Sequence, residues 1–370
     1  MKTSRKSSPP REKHASLKVP KTSGQKAIRL LSEHRIIDRG YKVESAKNHL
    51  YIPLTKRISD KMMRELKASL GTIDQIDHLF CPRSRPARTL KAALQARIPD
   101  ALIARLPSSY DVIGDIAVLD LPQEMVPYEK NVAEGIREVN RNVSTVLAKT
   151  GSISGQDRVL PTRFISGEER TATIHKESGC RFKVDISKAY FSPRLSHEHE
   201  RISHMVEEGE VVTDLFAGVG PFSIMIAKKL DTVQVNAIDA NPSAVELIRE
   251  NMTLNNVKGN LNVWLGDARE IVPTNLAGMA SRVIMNHPSA AHDFVDVACN
   301  ALTKEGGILH YYTFAQGEDC ETKAVDELEK ALLRFKWRAK WLAQARRVRE
   351  VGPMKWQIVV DAPVAPLKPD

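Results

Sequence analysis

The C-terminal half of the chain alternates short apolar runs with amphipathic segments. The apolar runs VVTDLFAG, VQVNAID, LNVWLGD, RVIMNHP and GGILHYYTF are separated by helical patterns such as PFSIMIAKKL and PSAVELIRENMTLNN. Short apolar runs bounded by turn residues predict buried strands, and regular alternation of strands with helices predicts a parallel, doubly wound sheet. The sequence therefore predicts an α/β domain over residues 197–370.

The N-terminal half predicts smaller and less regular parts. Residues 24–54 show the pattern of a helix, a turn and two strands, which predicts a small α/β module. The basic stretch that follows contains two prolines and predicts a connector, and the patterns after Tyr110 predict a strand, a helix near 129–149 and further strands. The predicted boundaries are 1–16 for a basic disordered tail, 17–55 for the small module, 56–105 for the basic connector and 106–196 for an α+β middle domain.

Positive charge is concentrated in particular segments. The formal net charge is +10, but the first 26 residues hold eight Lys or Arg and one Glu, a net charge of +7, in a Ser- and Pro-rich context that predicts disorder. Residues 81–97 carry five basic side chains and residues 330–349 carry eight, with no acidic residue in either run. Such runs form either a solvated face or a surface that contacts phosphates.

Hydropathy and cysteine spacing exclude several classes of protein. The sequence contains no apolar run close to the roughly 20 residues that a membrane helix needs, so no membrane span is predicted. The four cysteines lie far apart and form no C-x-x-C pair, which indicates neither a zinc site nor a disulfide framework. We expect a protein without a metal, in a reducing compartment, the cytoplasm.

The most informative local motif is VTDLFAGVGPF at residues 212–222. It predicts the first strand of the sheet and the turn that follows, where glycines allow the backbone to approach a ligand at the carboxyl ends of the strands. A dinucleotide-dependent oxidoreductase prefers G-x-G-x-x-G, whereas here Ser223 takes the place of the third glycine. The residues of this motif that we assign to a cofactor site are Asp214, Phe216, Gly218 and Gly220.

Polar residues also close the next three predicted strands. Asp239 ends the second strand, about 20 residues after the glycines, where a carboxylate can accept both hydroxyls of a ribose. Asp267 closes the third strand, in LGDARE, and is placed to accept from an adenine amine; Asn286 begins Asn-His-Pro at the end of the fourth. Each alone is explained equally well by a turn or a helix cap. In order at successive strand ends, they predict an S-adenosylmethionine-dependent methyltransferase.

Several longer segments carry a family resemblance. AYFSPRLSHEHERI is the most specific of them, and SYDVIGDIAVL, ERTATIHKESG, DLFAGVGPFSI and GGILHYYTF also contribute. From about residue 17 onward the chain resembles the archaeal and eukaryotic type of tRNA (guanine(37)-N1)-methyltransferase. The resemblance implies a class I, Rossmann-like S-adenosylmethionine methyltransferase domain with the small N-terminal module and the α+β middle domain. It also implies a monomer that binds the outer corner and the anticodon stem-loop of tRNA and methylates N1 of guanine 37, 3′ of the anticodon.

The resemblance also assigns roles to individual residues. Glu198 corresponds to the general base of the family, Arg158 to an arginine that faces the guanine O6, and Tyr190 to an aromatic residue that lines the cofactor pocket. Asn286 corresponds to the Asn of Asn-Leu-Pro, where the turn at Pro288 would help to fix the base. The chemistry requires such groups, because guanine N1 must lose a proton and negative charge then grows on O6. Without the resemblance, Glu198 is an ordinary acidic residue in the first turn of a helix.

Two alternatives and one departure from the family pattern remain open. His287 replaces the usual Leu of Asn-Leu-Pro and is interpreted as a tolerated bulky residue. A sister family transfers the aminocarboxypropyl group of the same cofactor in wybutosine synthesis, but there the corresponding segment tends to be FSPGN, whereas here it is FSPRL at residues 191–195. This difference favours methyl transfer. A non-enzymatic RNA-binding protein would keep the fold and the basic runs but would not bind the cofactor.

Overall fold

The computed structural model describes residues 11–82, 89–95, 97–107, 109–151, 159–340 and 343–367. The chain divides into two compact units, residues 1–88 and residues 89–370. Within the described ranges, no helix is both long and apolar enough to cross a membrane.

The first unit is a four-stranded antiparallel sheet with two helices. Strand β1 lies in the interior of the sheet, whose order is β2-β3-β1-β4. The core contains Leu17 of β1, Leu31 of α1 and Ile52 of β3, all fully buried. The elements are β1 (Glu12–Pro20), α1 (Gly24–Glu33), β2 (Glu44–Ser45), β3 (His49–Pro53), α2 (Asp60–Leu70) and β4 (Asp74–Phe80).

Two predicted boundaries of this region are wrong. Strand β1 begins at Glu12 and pairs with β4 from Glu12 opposite Phe80 to Lys18 opposite Asp74, so residues 12–16 are not a disordered tail. Residues 1–10 lie outside the described residues. Helix α2 and strand β4 complete the sheet and core of the first unit, so 56–105 is not a connector. The polar appearance of β1 arises because only one face of a sheet strand is buried.

The second unit begins with the predicted α+β layer. Its four-stranded sheet has the order β5-β6-β7-β8, and α3 and α5 pack against each other beside it. A hairpin of β9 and β10 follows. The elements are α3 (Leu90–Leu94), α4 (Asp100–Ile103), β5 (Asp111–Ile113), β6 (Ile116–Leu119), α5 (Glu129–Val139), β7 (Thr145–Lys149), β8 (Thr162–Gly167), β9 (Ala172–Glu177) and β10 (Cys180–Asp185).

The helix predicted near 129–149 is therefore too long. Helix α5 ends at Val139, and the strand β7 that follows is paired on both sides, parallel to β6 and antiparallel to β8. Residues 145–148 are all buried, so this strand shows none of the alternation by which a half-exposed strand is recognised.

The C-terminal part of the second unit is an eight-stranded mixed sheet. Its order is β13-β12-β11-β14-β15-β18-β16, with β17 also paired to β18. The elements are α6 (Ser196–Met205), β11 (Val211–Asp214), α7 (Pro221–Lys229), β12 (Gln234–Asp239), α8 (Pro242–Leu254), β13 (Leu261–Leu265), α9 (Ala268–Ile271), β14 (Arg282–Met285), α10 (Val295–Ala301), β15 (Gly307–Gln316), α11 (Cys320–Arg334), β16 (Trp337–Ala339), β17 (Gln344–Gly352) and β18 (Lys355–Pro366).

The arrangement of these strands positions the site. The first five strands are parallel, as the alternation of strands and helices predicts, and buried side chains fill both faces of the sheet. The chain runs outward from β11 in one direction through β12 and β13 and then returns to β14 on the other side, so the strand order reverses beside β11. Ligands of doubly wound sheets bind at such a reversal. Strands β16, β17 and β18 add an antiparallel edge; the alternation of apolar and basic residues around Trp337 predicts β16, whereas β17 and β18 are not predicted.

Candidate active site

The turn after β11 has a backbone that only glycines adopt easily. Gly218 and Gly220 have φ values of +57° and +87°, in the left-handed region. Gly220 is the N-cap of α7, and a Cβ placed there would lie 3.0 Å from Cδ1 of Ile224. The turn at the carboxyl end of β11 therefore requires glycine at both positions.

Asp239 is bound directly to this turn. Its Oδ2 accepts a hydrogen bond of 2.7 Å from the Gly218 amide, and its Oδ1 accepts one of 2.9 Å from the Asn241 amide. The Asn241 side chain caps α8 and donates to the Lys188 carbonyl at 2.7 Å. The hydrogen bond from Gly218 to Asp239 thus joins the ends of β11 and β12, the predicted first and second strands.

Asp214 is fully buried beneath the turn. Its carboxylate accepts from the Ser223 hydroxyl at 2.9 Å and from the Phe216 amide at 3.4 Å. Burial raises the pKa of Asp214 to about 7; the Ser223 hydrogen bond opposes this shift, and the nearby charge of Asp239 adds to it. Asp214 therefore holds the turn in place from below and exchanges a proton near neutral pH.

Asp267 and Phe216 lie at the same crevice. Asp267 caps α9 by accepting from the Arg269 amide at 2.9 Å, and it also pairs with the Arg269 guanidinium at 2.6 Å. Hydrogen bonds from that guanidinium hold the pKa of Asp267 below its usual value. The Phe216 ring packs against His287 and Phe294, with centroid distances of 4.9 Å in each case. His287 is therefore accommodated by an aromatic contact, and Asp267 has the helix-cap role that the sequence left open.

Asn286 follows β14, and its side chain is fixed by an interaction that the sequence analysis did not find. Its Oδ1 accepts a hydrogen bond of 3.2 Å from Nε2 of Gln357 on β18. The Oε1 of Gln357 accepts in turn from Nε of Arg349 on β17 at 2.8 Å. Pro288, two residues further on, is buried. No local motif marks Gln357 or Arg349, because both are brought to the site by strand pairing.

A cavity of about 420 Å³ adjoins this group of residues. Tyr190, Ser192, Phe314 and Arg349 line it, together with residues of the α+β layer such as Asp111. Arg349 donates to the Ser192 hydroxyl at 2.8 Å and to the Tyr190 hydroxyl at 3.2 Å. A Cβ on Gly218 would lie 3.4 Å from the Tyr190 carbonyl, so the glycine turn and the cavity are immediate neighbours.

Glu198 occupies a different environment from the one expected of an exposed base. Its side chain is 1% exposed, and its carboxylate accepts from Arg201 at 2.6 Å, from the Tyr312 hydroxyl at 2.8 Å and from Arg346. Burial acts to raise the pKa of Glu198, but the hydrogen bonds and charge of Arg201, the Tyr312 hydroxyl and the charge of Arg346 outweigh it, so the pKa is lowered. Glu198 is therefore ionised, and among the described residues it is not one of those that line the cavity.

Most of the predicted site residues are thus placed in two groups, whereas Glu198 lies in a separate cluster with Arg201, Tyr312 and Arg346. Asp214, Gly218, Gly220 and Asp239 form one connected turn, with Phe216 and Asp267 beside it, and Asn286 and Tyr190 are linked through Gln357 and Arg349. Arg158 lies outside the described residues.

Three family models match the chain. Residues 173–339 match the TRM5/TYW2 methyltransferase domain, residues 90–171 match the TYW2 N-terminal domain, and residues 16–62 match the tRNA methyltransferase 5 N-terminal domain. The matches thus extend over most of both structural units.

Individual relatives are similar over nearly the whole chain. The tRNA (guanine(37)-N(1))-methyltransferase Trm5b of Pyrococcus abyssi is 36% identical over 345 residues, which cover 93% of this chain and 97% of that protein. The tRNA(Phe) (4-demethylwyosine(37)-C(7)) aminocarboxypropyltransferase of Pyrococcus horikoshii is 29% identical over 272 residues, which cover 74% of this chain and 95% of that protein.

Known structures show the same relationship. The complex of aTrm5 with tRNALeu superposes with a TM-score of 0.75 at 31% identity, covering 94% of this chain and 99% of the other. The structure of Methanocaldococcus jannaschii Trm5 with adenosine superposes with a TM-score of 0.62 at 31% identity, covering 96% and 100% of the two chains.

The raised pKa of Asp214 predicts how stability depends on pH. The folded protein holds the Asp214 proton up to about pH 7, whereas the ordinary pKa of Asp is 3.8. The protonated side chain therefore stabilises the fold fully below pH 3.8, and this stabilisation is lost as pH rises from there through 7. Asp214→Asn cannot ionise. Between pH 5 and pH 8 the wild type should therefore lose about 1–3 kcal/mol in free energy of unfolding that Asp214→Asn does not lose. Urea denaturation without added ligand measures both proteins.

Asp267→Asn is the matched control, because the pKa of Asp267 is lowered and its carboxylate is charged at both pH values. It should lose the same amount of stability at pH 5 and at pH 8. If the Asp214→Asn and wild-type stability curves stay parallel, the Asp214 assignment is wrong.

Proposed function

The chain belongs to the tRNA (guanine(37)-N1)-methyltransferase family, and from this premise we propose that it transfers the methyl group of S-adenosylmethionine to N1 of guanine 37 in tRNA. The observation that carries the proposal is the hydrogen bond between the Gly218 amide and Asp239, at the reversal of strand order and next to the cavity lined by Tyr190. An adenosine-bearing ligand and a base can be held side by side in this arrangement.

The residues at the crevice fit the cofactor. A Cβ at Gly220 would lie 3.0 Å from Cδ1 of Ile224 and 3.3 Å from Cγ1 of Ile248, so glycine here allows the turn to pack closely on α7 and α8. We assign Asp239 to the ribose hydroxyls, Asp267 to the adenine amine and Phe216 to the adenosine face, with Asp214 supporting the turn. When bound, S-adenosylmethionine supplies a methyl group on a sulfonium, which needs alignment more than activation.

We assign the removal of the N1 proton to Glu198. The carboxylate is ionised, as an acceptor must be, and although its lowered pKa makes it a weak base, the N1–H becomes strongly acidic as the N1–methyl bond forms. The partners of the Glu198 carboxylate in the structure, Arg201, Tyr312 and Arg346, all donate hydrogen bonds to it. One of them must therefore yield to the base, and Arg346 is the best candidate because its side chain is 42% exposed, compared with 23% for Arg201.

The other assignments follow from the family pattern. Arg158 would stabilise the charge that grows on O6, and Asn286 with the Pro288 turn would hold the base. We propose that the protein acts as a monomer and contacts the anticodon stem-loop and the outer corner of tRNA. The relative in complex with tRNALeu and the basic residues at 81–97 and 330–340 support tRNA as the partner. Arg346, Arg347 and Arg349, at the end of the second run, pair within the domain instead.

Methyl transfer is favoured over aminocarboxypropyl transfer by identity and by the FSPRL segment. The named methyltransferase of P. abyssi shares 36% identity over 93% of this chain, whereas the aminocarboxypropyltransferase shares 29% over 74%. Arg194 of FSPRL forms an ion pair of 2.6 Å with Asp111, which also lines the cavity. A Gly-Asn pair in place of Arg194 and Leu195 could not make this contact.

The direct test of the function is nucleoside mass spectrometry of unmodified tRNA incubated with the enzyme and S-adenosylmethionine labelled on the methyl group. We expect labelled 1-methylguanosine at position 37 and none in a transcript with adenosine at that position. Cofactor carrying the isotope on the aminocarboxypropyl chain, incubated with tRNA that contains 4-demethylwyosine at position 37, serves as the second arm. Incorporation from that chain would identify the sister reaction, and no incorporation from either label would leave only RNA binding.

Substitution of Asp239 tests the cofactor assignment. Asp239→Ala removes the proposed ribose acceptor and the acceptor of the Gly218 amide, so S-adenosylmethionine should bind at least about tenfold more weakly in calorimetry, equivalent to ~1.4 kcal/mol. Asp231→Ala removes an exposed carboxylate of the same domain and should bind normally. Equal affinities for the Asp239 variant and the wild type would remove the assignment.

Substitution of Glu198 tests the proposed base. Glu198→Gln keeps the size of the side chain but not its basicity, so single-turnover methylation should slow by ~10²–10⁴-fold with little change in cofactor or tRNA affinity. The deficit should shrink as pH rises, because guanine ionises increasingly without help.

Arg201→Gln breaks the same ion pair from the other side while retaining the carboxylate. If Glu198 is the base, Arg201→Gln should lose thermal stability, because Asp361 also loses its partner, and yet should keep more of the rate than Glu198→Gln. Equal loss of rate and of thermal stability in both variants would instead show that Glu198 only stabilises the fold.

A further inference from the structure

A directional chain of hydrogen bonds connects β17, β18 and the end of β14. Arg349 donates from Nε to Oε1 of Gln357 at 2.8 Å, and Gln357 donates from Nε2 to Oδ1 of Asn286 at 3.2 Å. Gln357 is 1% exposed, so water does not compete for the hydrogen bonds of its amide. The chain ends at the residue assigned to hold the target base.

Arginine determines the direction of this chain. A guanidinium has donors and no acceptor, so the Gln357 oxygen must face Arg349 and its NH2 group must face Asn286. Asn286 must then present its oxygen to Gln357, and its NH2 group is left on the other side. Without a fixed donor at position 349, either amide could turn over and exchange its donor for its acceptor.

A β-bulge places Arg349 in this position. In the pairing of β17 with β18, Arg347 lies opposite Ile358 and Arg349 lies opposite Gln357, so Val348 is the extra residue. Without the bulge, Val348 would lie opposite Gln357. Bulges next to active sites commonly redirect a side chain in this way.

The redirected guanidinium has two more partners in the FSPRL region. It donates to the Ser192 hydroxyl at 2.8 Å and to the Tyr190 hydroxyl at 3.2 Å, and it lines the cavity with both. Arg347 has an unrelated environment: its Nε pairs with Glu321 of α11 at 2.8 Å, and it stacks over Trp356. Arg349 and Arg347 lie on the same strand but therefore bind different groups of residues.

We propose that Arg349 and Gln357 are positioning residues for the methyl transfer, which orient the Asn286 amide so that it donates a hydrogen bond to an acceptor of the target guanine. This inference rests on the proposed function. A donor is the useful polarity, because electron density on the guanine carbonyl grows as N1 loses its proton, and a fixed donor stabilises that change. Through Tyr190 and Ser192 the same guanidinium holds the adjacent wall of the cavity.

The most specific test is Gln357→Glu, which changes polarity at nearly constant size. The carboxylate introduced at position 357 would still accept from Arg349 but could not donate to Asn286, so the Asn286 amide would turn its NH2 group toward position 357 and its oxygen toward the base. We expect single-turnover methylation of tRNA to slow about 10- to 100-fold. The KM for tRNA, the calorimetric affinity for S-adenosylmethionine and the midpoint of thermal unfolding should stay close to wild type.

Two variants at position 349 provide a second measurement. Arg349→Met removes all three hydrogen bonds and should slow methylation at least as much as Gln357→Glu, whereas Arg349→Lys keeps one cationic donor and should recover part of the rate. Arg347→Met is the matched control, since it removes an arginine from the same strand without touching the chain of hydrogen bonds, and it should methylate at the wild-type rate.

The outcomes separate this inference from the function on which it rests. If the wild type forms no 1-methylguanosine at position 37, the proposed function fails. If the wild type forms it and Gln357→Glu is equally fast, the positioning role alone is overturned. If Gln357→Glu does not fold, the positioning role is tested by comparing Arg349→Lys with Arg349→Met. Equal methylation rates for those two variants would overturn the positioning role.

Discussion

The hydrogen bond from the Gly218 amide to the Asp239 carboxylate joins two neighbouring strand ends, and the geometry of the crevice depends on it. Its donor is a glycine with a positive φ, a conformation that other residues adopt only with strain. Asp239 in turn holds Asn241, whose side chain binds the Lys188 carbonyl two residues before Tyr190. One short contact thus couples the cofactor turn to the segment that lines the adjoining cavity.

Buried charges form a second connected system behind that crevice. Arg282 is 2% exposed; it pairs with Glu210 at 2.7 Å and donates to Nε2 of His310 at 2.8 Å. Since that nitrogen accepts, His310 donates from Nδ1 to Asp361, and Asp361 also pairs with Arg201 at 2.6 Å.

This system extends to the proposed base, because Arg201 is also the partner of Glu198. Burial lowers the pKa of His310 and keeps the ring neutral. Asp361 has its pKa lowered to about 2, because hydrogen bonds from His310 and Arg201 and the charge of Arg201 outweigh the effect of burial. Removing one member of such a set leaves an unpaired buried charge, which costs far more than the pair contributes. The orientation of α6, which carries Glu198, is therefore tied to the antiparallel edge of the sheet.

The sequence alone determined the order of the parallel strands from β11 to β15, the glycine turn and the polar residues at successive strand ends. These features are local: a strand end and its turn are encoded within about ten residues, and the periodicity of apolar positions is visible without knowledge of partners. Only the tertiary structure decided that Glu12 pairs opposite Phe80, that Arg346 and Arg201 enclose Glu198, and that a bulge places Arg349 opposite Gln357. Each depends on the register between segments distant in the chain, which is set by how the whole sheet buries its faces and not by any short stretch of residues.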